Sequence, residues 1–160
     1  MTNKLWAPWR INYIRNCRRK ECIFCESIKN IRKNFVILKT RFSVAMLNIF
    51  PYNNGHVMIS PIRHVKELRQ LKNTEILDLF STLNKAKALL QKVLKPDGFN
   101  IGINIDRSAG AGIIGHLHIH IVPRWTGDTN FMPVLYATKI ISQSLAELYK
   151  QLREAQTYGT

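Results

Sequence analysis

The chain has 160 residues, a net charge of +14 from 24 Lys and Arg against 10 Asp and Glu, and 46% hydrophobic residues. That length implies one domain, and that composition is globular rather than disordered. No run of ~18 apolar residues could cross a membrane, the first ten residues hold no apolar stretch of a secretory signal, and the clustered Cys17, Cys22 and Cys25 read as thiols or metal ligands of a cytoplasmic protein, not as a disulfide framework.

Residues 1–41 carry eleven of the basic residues and only two of the acidic ones, a net +9 that leaves +5 for the other 119. The excess is either a solvated surface or a means of attracting polyanions, such as the phosphates of a nucleotide or a nucleic acid. Trp6, Trp9 and Tyr13 are interleaved with it. Three large aromatics so close together are costly to expose, so they are expected to anchor an N-terminal arm on the core rather than stack on bases. Residues 35–38 and 42–48 are short apolar runs separated by Lys39-Thr40-Arg41, the pattern of a hairpin. A turn at residues 51–55 leads to a third strand at 56–60, closed by Pro61. Residues 74–94 form the clearest helix, with Ile76, Phe80, Leu83, Leu90 and Leu94 near helical spacing, Asn73 or Thr74 as its cap and Pro96-Asp97-Gly98 as its end. Residues 99–105 alternate, with Phe99, Ile101, Ile103 and Ile105 on one face and Asn100, Gly102 and Asn104 on the other. A glycine-rich loop at 108–112 precedes a second alternating strand at 116–122, and Ile141, Leu145, Leu148 and Leu152 place a final amphipathic helix. The fold class is therefore α+β: one antiparallel sheet of about five strands with a long helix and a C-terminal helix on its apolar face.

The strand at 116–122 is the most informative stretch. His116, His118 and His120 share one face, each ~7 Å from the next, while Leu117, Ile119 and Ile121 turn to the core. A single histidine on a strand is ordinarily a satisfied polar residue, but three in register are hard to read that way. Such a row can bind a metal, or it can present a nucleophilic imidazole held by polar neighbours. The outer pair stands too far apart for all three to share one ion without distortion, so a division of labour is expected. Cys22-Ile23-Phe24-Cys25 is a C-x-x-C, which alone is a redox pair, half of a zinc site or chance.

His116-Leu117-His118-Ile119-His120-Ile121-Val122 resembles the histidine-triad pattern of the histidine triad (HIT) nucleotide hydrolases and transferases. Asn48, Gly55-His56-Val57, Pro61-Ile62-Arg63-His64, Phe99-Asn100-Ile101-Gly102-Ile103-Asn104 and the glycine-rich loop are similar to that family in its usual order. The opening Leu5-Trp6-Ala7-Pro8-Trp9-Arg10 and the tail from Pro123 to Phe131 resemble a bacterial subgroup related to diadenosine tetraphosphate phosphorylases and Fhit-like hydrolases. The likeness covers nearly the whole chain. It implies a HIT-like fold in one domain over residues 1–160, with 1–34 as a basic segment bearing the Cys-x-x-Cys half-site. It departs at Asp106, where the subgroup carries glycine. An acid beside a phosphate site opposes anion binding, so either Asp106 points away or the substrate differs.

The resemblance implies that His118 attacks the α-phosphorus of a nucleotide to form a covalent nucleotidyl-histidine, which water or phosphate resolves. Neutral imidazole is nucleophilic and a phosphoramidate is labile, so the chemistry is reasonable. It implies that His120 contacts the α-phosphate and leaving group, and that His56 lies near the phosphates and supports the nucleophile. Asn104 would hydrogen-bond phosphate or ribose oxygens, Ala111 and Gly112 would offer backbone N–H groups to an anion, and Asn48 would contact the ribose. His64 and His116 match the zinc positions of HIT proteins that bear a C-x-x-C; with Cys22 and Cys25 they would close a structural zinc site with no catalytic water. Cys17 is then a bystander.

The expected activity is cleavage of a dinucleoside polyphosphate such as diadenosine tetraphosphate, giving AMP and ATP if water resolves the intermediate and ADP and ATP if phosphate does. The alternatives are a nucleoside phosphoramidase, and a HIT protein that processes nucleic-acid ends or binds nucleic acid. The charge favours nucleic acid; the lack of a DNA-binding zinc finger or a basic C-terminal helix argues against it. The nucleophilic chemistry requires no metal, although substrate could arrive as a Mg²⁺ complex. The resemblance also implies a homodimer. The basic N-terminal segment, tied to the histidine face by its cysteines, then reads as an aid to polyphosphate capture.

Overall fold

The computed structural model describes residues 22–129 and 140–157. Trp6, Trp9, Tyr13, Cys17, the opening motif and the end of the tail at Asn130 and Phe131 lie outside the described residues. Five strands, β1 (Val36–Lys39), β2 (Ser43–Leu47), β3 (Val57–Pro61), β4 (Gly98–Gly102) and β5 (Ile119–Arg124), form one antiparallel sheet in the order β1-β2-β3-β5-β4. Among the described residues three α-helices accompany it: α1 (Ile23–Lys29), α2 (Asn73–Leu94) and α3 (Leu145–Thr157). The architecture is the expected one. Among the described residues no helix is long and apolar enough to cross a membrane.

β2 is buried along its whole length because both faces of the sheet are covered. Period-two alternation sorts the side chains. Ala45, Leu47, Val57, Ile59, Ile119 and Ile121 pack with Leu79, Leu83, Ala86 and Leu90 of α2 and with Leu148 and Leu152 of α3. Each large apolar side chain so buried stabilises the fold by about 1.5–3 kcal/mol. Val44, Met46 and Met58 point the other way and pack with Val36 and with Phe24 of α1. The ladder aligns Val36, Met46, Met58, His120 and Gly102 in one row across the sheet. This second face is thus an apolar floor that runs into a histidine, and the residue beyond it has no side chain to crowd the site.

Several boundaries differ from the sequence pattern for physical reasons. On α2 the buried stripe is Leu79, Leu83, Ala86 and Leu90, whereas Ile76 and Phe80 are 36% and 52% exposed. They lie one position, about 100° of helix rotation, from the stripe that faces the sheet. The N-cap is Lys72, not Asn73 or Thr74; its backbone N–H donates to Glu75 Oε2 at 2.8 Å. Buried Glu75 also accepts two bonds from Arg63, at 2.9 and 2.6 Å. The Arg63 guanidinium holds its carboxyl down at about 2 and pins the segment that carries His64. Lys95 closes the helix in the left-handed conformation, φ 46°, because Pro96 bars its continuation. β4 stops at Gly102, so Asn104 lies beyond the ladder, and α3 begins at Leu145, past Ile141. β5 begins at Ile119, so His116 and His118 precede it. Their stretch is held instead by the segment after β3, through Leu117 N–H to Val65 O at 2.7 Å and His116 Nε2–H to Pro61 O at 2.8 Å.

The turn before β3 admits only glycine at Gly55. Its φ is +76°, and a Cβ there would stand 2.5 Å from Leu94 Cδ1 and 3.0 Å from Pro123 Cγ. Gly55→Ala therefore combines a left-handed backbone cost with overpacking, and is expected to destabilise the protein by about 2–4 kcal/mol. Denaturant unfolding checks this; a loss below about 1 kcal/mol would contradict the close packing of that turn.

Candidate active site and metal centre

His118 is 3% exposed, and its Nδ1–H donates to the carbonyl of His116 at 2.8 Å. A carbonyl can only accept, so Nδ1 carries the proton and Nε2 keeps its lone pair. Burial holds its pKa below the ordinary imidazole value, against the opposing pull of that hydrogen bond. The ring is therefore neutral at pH 7 with a defined nucleophilic nitrogen.

The same reasoning assigns the neighbouring pair. His56 is 1% exposed, and its Nδ1 accepts the Tyr52 backbone N–H at 3.0 Å and Asn48 Nδ2 at 3.3 Å. The proton of His56 must then sit on Nε2, which donates to His120 Nδ1 at 2.8 Å. That leaves the proton of His120 on Nε2. This buried N–H has no partner among the described residues. A buried donor left unsatisfied is costly, so this N–H is the one in the cluster open to an acceptor from outside the chain. Burial, reinforced by the nearby histidines, lowers His56 to about 3 and His120 to about 4. These imidazoles are neutral at pH 7, and lowered pKa values extend the neutral form toward acid. The acidic limb of kcat/KM is therefore expected below pH 6; a midpoint near 6.5, the value of an exposed imidazole, would overturn this reading.

The structure brings His118, His120 and His56 together, with ring centroids 4.9 Å apart for His118 and His120 and 5.0 Å for His56 and His120. Asn48 sits behind His56, with its Oδ1 accepting the Phe50 N–H at 2.9 Å. Asn104 is half-buried beside the loop, its Nδ2 3.9 Å from where a Cβ on Gly110 would stand. Ala111 is buried and its N–H turns inward to Asp106 O at 3.3 Å, while Gly112 lies exposed at the lip. Asp106 adopts φ 62° and ψ 175°, a region that glycine occupies freely and other residues only under strain. Its carboxylate pairs with Lys66 at 2.9 Å.

Sequence reasoning missed three contributors. Tyr52 gives its backbone N–H to His56 and lays its ring on His56 and His120, with centroids 4.4 and 5.6 Å away. Asn53, buried, donates to Pro123 O at 3.1 Å and to Asp128 Oδ2 at 2.8 Å, tying the turn of Tyr52 and Gly55 to the end of β5. Phe24 packs its ring against His116 and His118 at 5.1 and 5.0 Å. For Phe24 the signal was its position inside the C-x-x-C; for the other two there was none beyond turn composition.

Cys22, Cys25, His64 and His116 form a second cluster, their ligand atoms all within 4.8 Å of one another. Cys22 Sγ is 3.2 Å and Cys25 Sγ 3.8 Å from His116 Nδ1, and Cys25 Sγ is 3.3 Å from His64 Nδ1. Bonds of about 2.1 Å to nitrogen and 2.3 Å to sulfur give tetrahedral edges of this size. His116 Nε2–H is committed to Pro61 O, so Nδ1 presents a lone pair, the outer hydrogen bond expected of a metal-ligating imidazole. Burial and the adjacent Cys22 sulfur push the Cys25 thiol up, crowding that a bound cation would relieve. The four residues fit a metal ion.

Comparisons with known proteins agree with this geometry. Residues 29–127 match the HIT domain family. The chain is 35% identical over 159 residues to an AP-4-A phosphorylase of Mycobacterium tuberculosis, covering 93% of this chain and 82% of that one. It is 34% identical over 115 residues to an asymmetrical bis(5'-nucleosyl)-tetraphosphatase of Schizosaccharomyces pombe, covering 71% of this chain and 63% of the other. Among solved structures, a hypothetical histidine triad nucleotide-binding protein from Sulfolobus tokodaii superposes with a TM-score of 0.69 at 26% identity, over 86% of this chain and 93% of its own. A Zn-bound histidine triad protein from Mycobacterium smegmatis shares the fold with a TM-score of 0.69 at 23% identity, over 86% and 94%. A domain matched over more than half of the chain, a relative 35% identical over nearly all of it and a shared fold lead to one assignment: the chain belongs to the HIT family.

Proposed function

We propose that this protein is a nucleotidyl hydrolase or transferase that cleaves dinucleoside polyphosphates, such as diadenosine tetraphosphate, through a nucleotide bound covalently to His118. The observation that carries the reading is the directed hydrogen bonding of the histidines, which leaves the lone pair on His118 Nε2 and makes His120 Nε2–H a buried donor on the neighbouring ring. His118 Nε2 bonds to the α-phosphorus as the P–O bond to the leaving polyphosphate breaks. His120 Nε2–H stabilises charge on the phosphate and leaving oxygen, and His56 holds His120 in the donating tautomer. Water or inorganic phosphate then attacks phosphorus and the P–N bond breaks. The relatives named as an AP-4-A phosphorylase and an asymmetrical tetraphosphatase support the substrate class and both second steps.

Asn48 is assigned to the ribose, and Asn104 and Gly112 to phosphate oxygens; Ala111, whose N–H is bonded to Asp106 O, is assigned to shaping the loop rather than to donating to the anion. The pairing of Asp106 with Lys66 supports binding of a polyanion beside an acid, because the charge is already neutralised. The Cys22, Cys25, His64 and His116 cluster is assigned to a structural zinc, which supplies cross-linking and, with four protein ligands, no site for a reactive water. Substrate is taken as its Mg²⁺ complex. Ile101 and Ile105 at the open edge beyond β5 are 46% and 50% exposed, which supports edge pairing in a homodimer. A reducing cytoplasm keeps the thiol ligands available.

Incubation with diadenosine tetraphosphate, with and without inorganic phosphate, tests the reading by chromatography of products. ADP with ATP in the presence of phosphate marks a phosphorylase; AMP with ATP regardless of phosphate marks a hydrolase. Unconsumed diadenosine tetraphosphate under both conditions would overturn it.

A further inference from the structure

We infer that Phe24 is a positioning residue that sets the plane of the His118 imidazole; this rests on His118 being the nucleophile and adds a group that holds it. The lone pair of Nε2 lies in the plane of the ring, so a tilt of the ring misdirects attack on phosphorus. The polar tether of His118 is the bond from Nδ1 to the His116 carbonyl. One bond at one corner fixes the tautomer but leaves the ring able to swing about that corner. Two rings supply the remaining constraint. His120 meets His118 edge-on at 4.9 Å and 73°, and Phe24 meets it at 5.0 Å and 37°.

Phe24 is well placed to be rigid. It is fully buried and backed by Val36, Val44, Met46 and Met58 of the sheet floor. It also lies inside Cys22-Ile23-Phe24-Cys25, and the sulfurs on either side stand 3.2 and 3.8 Å from His116 Nδ1. The same ring packs on His116 at 5.1 Å, so Phe24 touches both the residue that accepts the His118 tether and His118 itself. The N-terminal cluster and the nucleophile are thereby joined twice, once through the His116 carbonyl and once through the Phe24 ring. A side chain that only filled the core would need the same volume but not the flat face.

The test is Phe24→Leu, with Phe24→Met as a second variant that also keeps apolar volume. Both are assayed for metal content, thermal unfolding, AMP affinity, the single-turnover rate of nucleotidyl transfer from diadenosine tetraphosphate, and the NMR signal of the His118 Nδ1–H. The expected result is a folded, AMP-binding protein with affinity within about twofold of the parent, a single-turnover rate about tenfold or more slower, and a broadened Nδ1–H resonance. A parental rate in either folded variant would overturn the inference, as would a loss carried wholly by KM, which would make Phe24 a wall of the binding site. Full turnover in His118→Ala would instead remove the nucleophile assignment beneath it, so the two failures are distinguishable.

Discussion

Replacing His118 with alanine is expected to lower turnover of diadenosine tetraphosphate by about 10⁴-fold or more while leaving a folded protein that still binds AMP. The expectation follows from where the lone pairs are. Among His56, His118 and His120, His118 alone has its Nδ1 proton held by a backbone carbonyl and its Nε2 left with a lone pair. His56 donates through Nε2 and His120 carries its proton on Nε2, so neither presents a lone pair at that position. His120→Ala removes a donor rather than the bond-forming atom, and is expected to cost about 10²- to 10³-fold. His56→Ala acts only through the orientation of His120 and should cost less. Removing the His118 ring abolishes one bond to the His116 carbonyl and one packing face for Phe24, a loss of about 1–3 kcal/mol that a domain of this size survives. Steady-state turnover, trapping of the nucleotidylated protein and AMP titration check these points together. Residual turnover above about 1% of the parent in His118→Ala, with no adduct on any residue, would sink the covalent route.

Much of this site could be read before the fold was known, and what could not has definite causes. Alternation in a strand needs only neighbouring residues, so the sheet and the place of His120 in it followed from the pattern, whereas His118 precedes the ladder and is placed by its bond to the His116 carbonyl. The long helix was legible in extent but not in orientation. Ile76 and Phe80 run beside Leu79 and Leu83 in two apolar stripes one residue apart, and burial of Glu75 with Arg63 decides which stripe faces the sheet. The second apolar layer of Phe24, Val44, Met46 and Met58 depends on α1 crossing the far face, a contact between distant segments that no local pattern encodes. The Tyr52 N–H that fixes the tautomer of His56 is a backbone group and has no signature in residue identity. Asp106 was visible only as a departure from the family, and its left-handed backbone supplies the physical reason that a glycine suits the position.

Replacing both Cys22 and Cys25 with serine is expected to abolish binding of about one zinc per chain and to destabilise the protein by several kcal/mol. Serine keeps the shape of the site but is a poor ligand for zinc at neutral pH, so the change removes the cross-link with little alteration of packing. The cluster joins three separate pieces of chain: α1 with its preceding residue, the segment after β3 that bears His64, and the stretch leading into β5 at His116. Holding them together closes long loops of an otherwise small domain, where a cross-link does most. Loss of a metal there would also reach His118, because the His116 carbonyl that orders its ring belongs to one of the four clustered residues. Metal analysis of the purified protein, thermal unfolding with and without chelator, and AMP affinity separate a structural role from a catalytic one. The structural role requires that melting temperature fall with the metal and that the remaining folded fraction still bind AMP. A folded, metal-free parent protein with an unchanged melting temperature would show that the four residues cluster for packing alone.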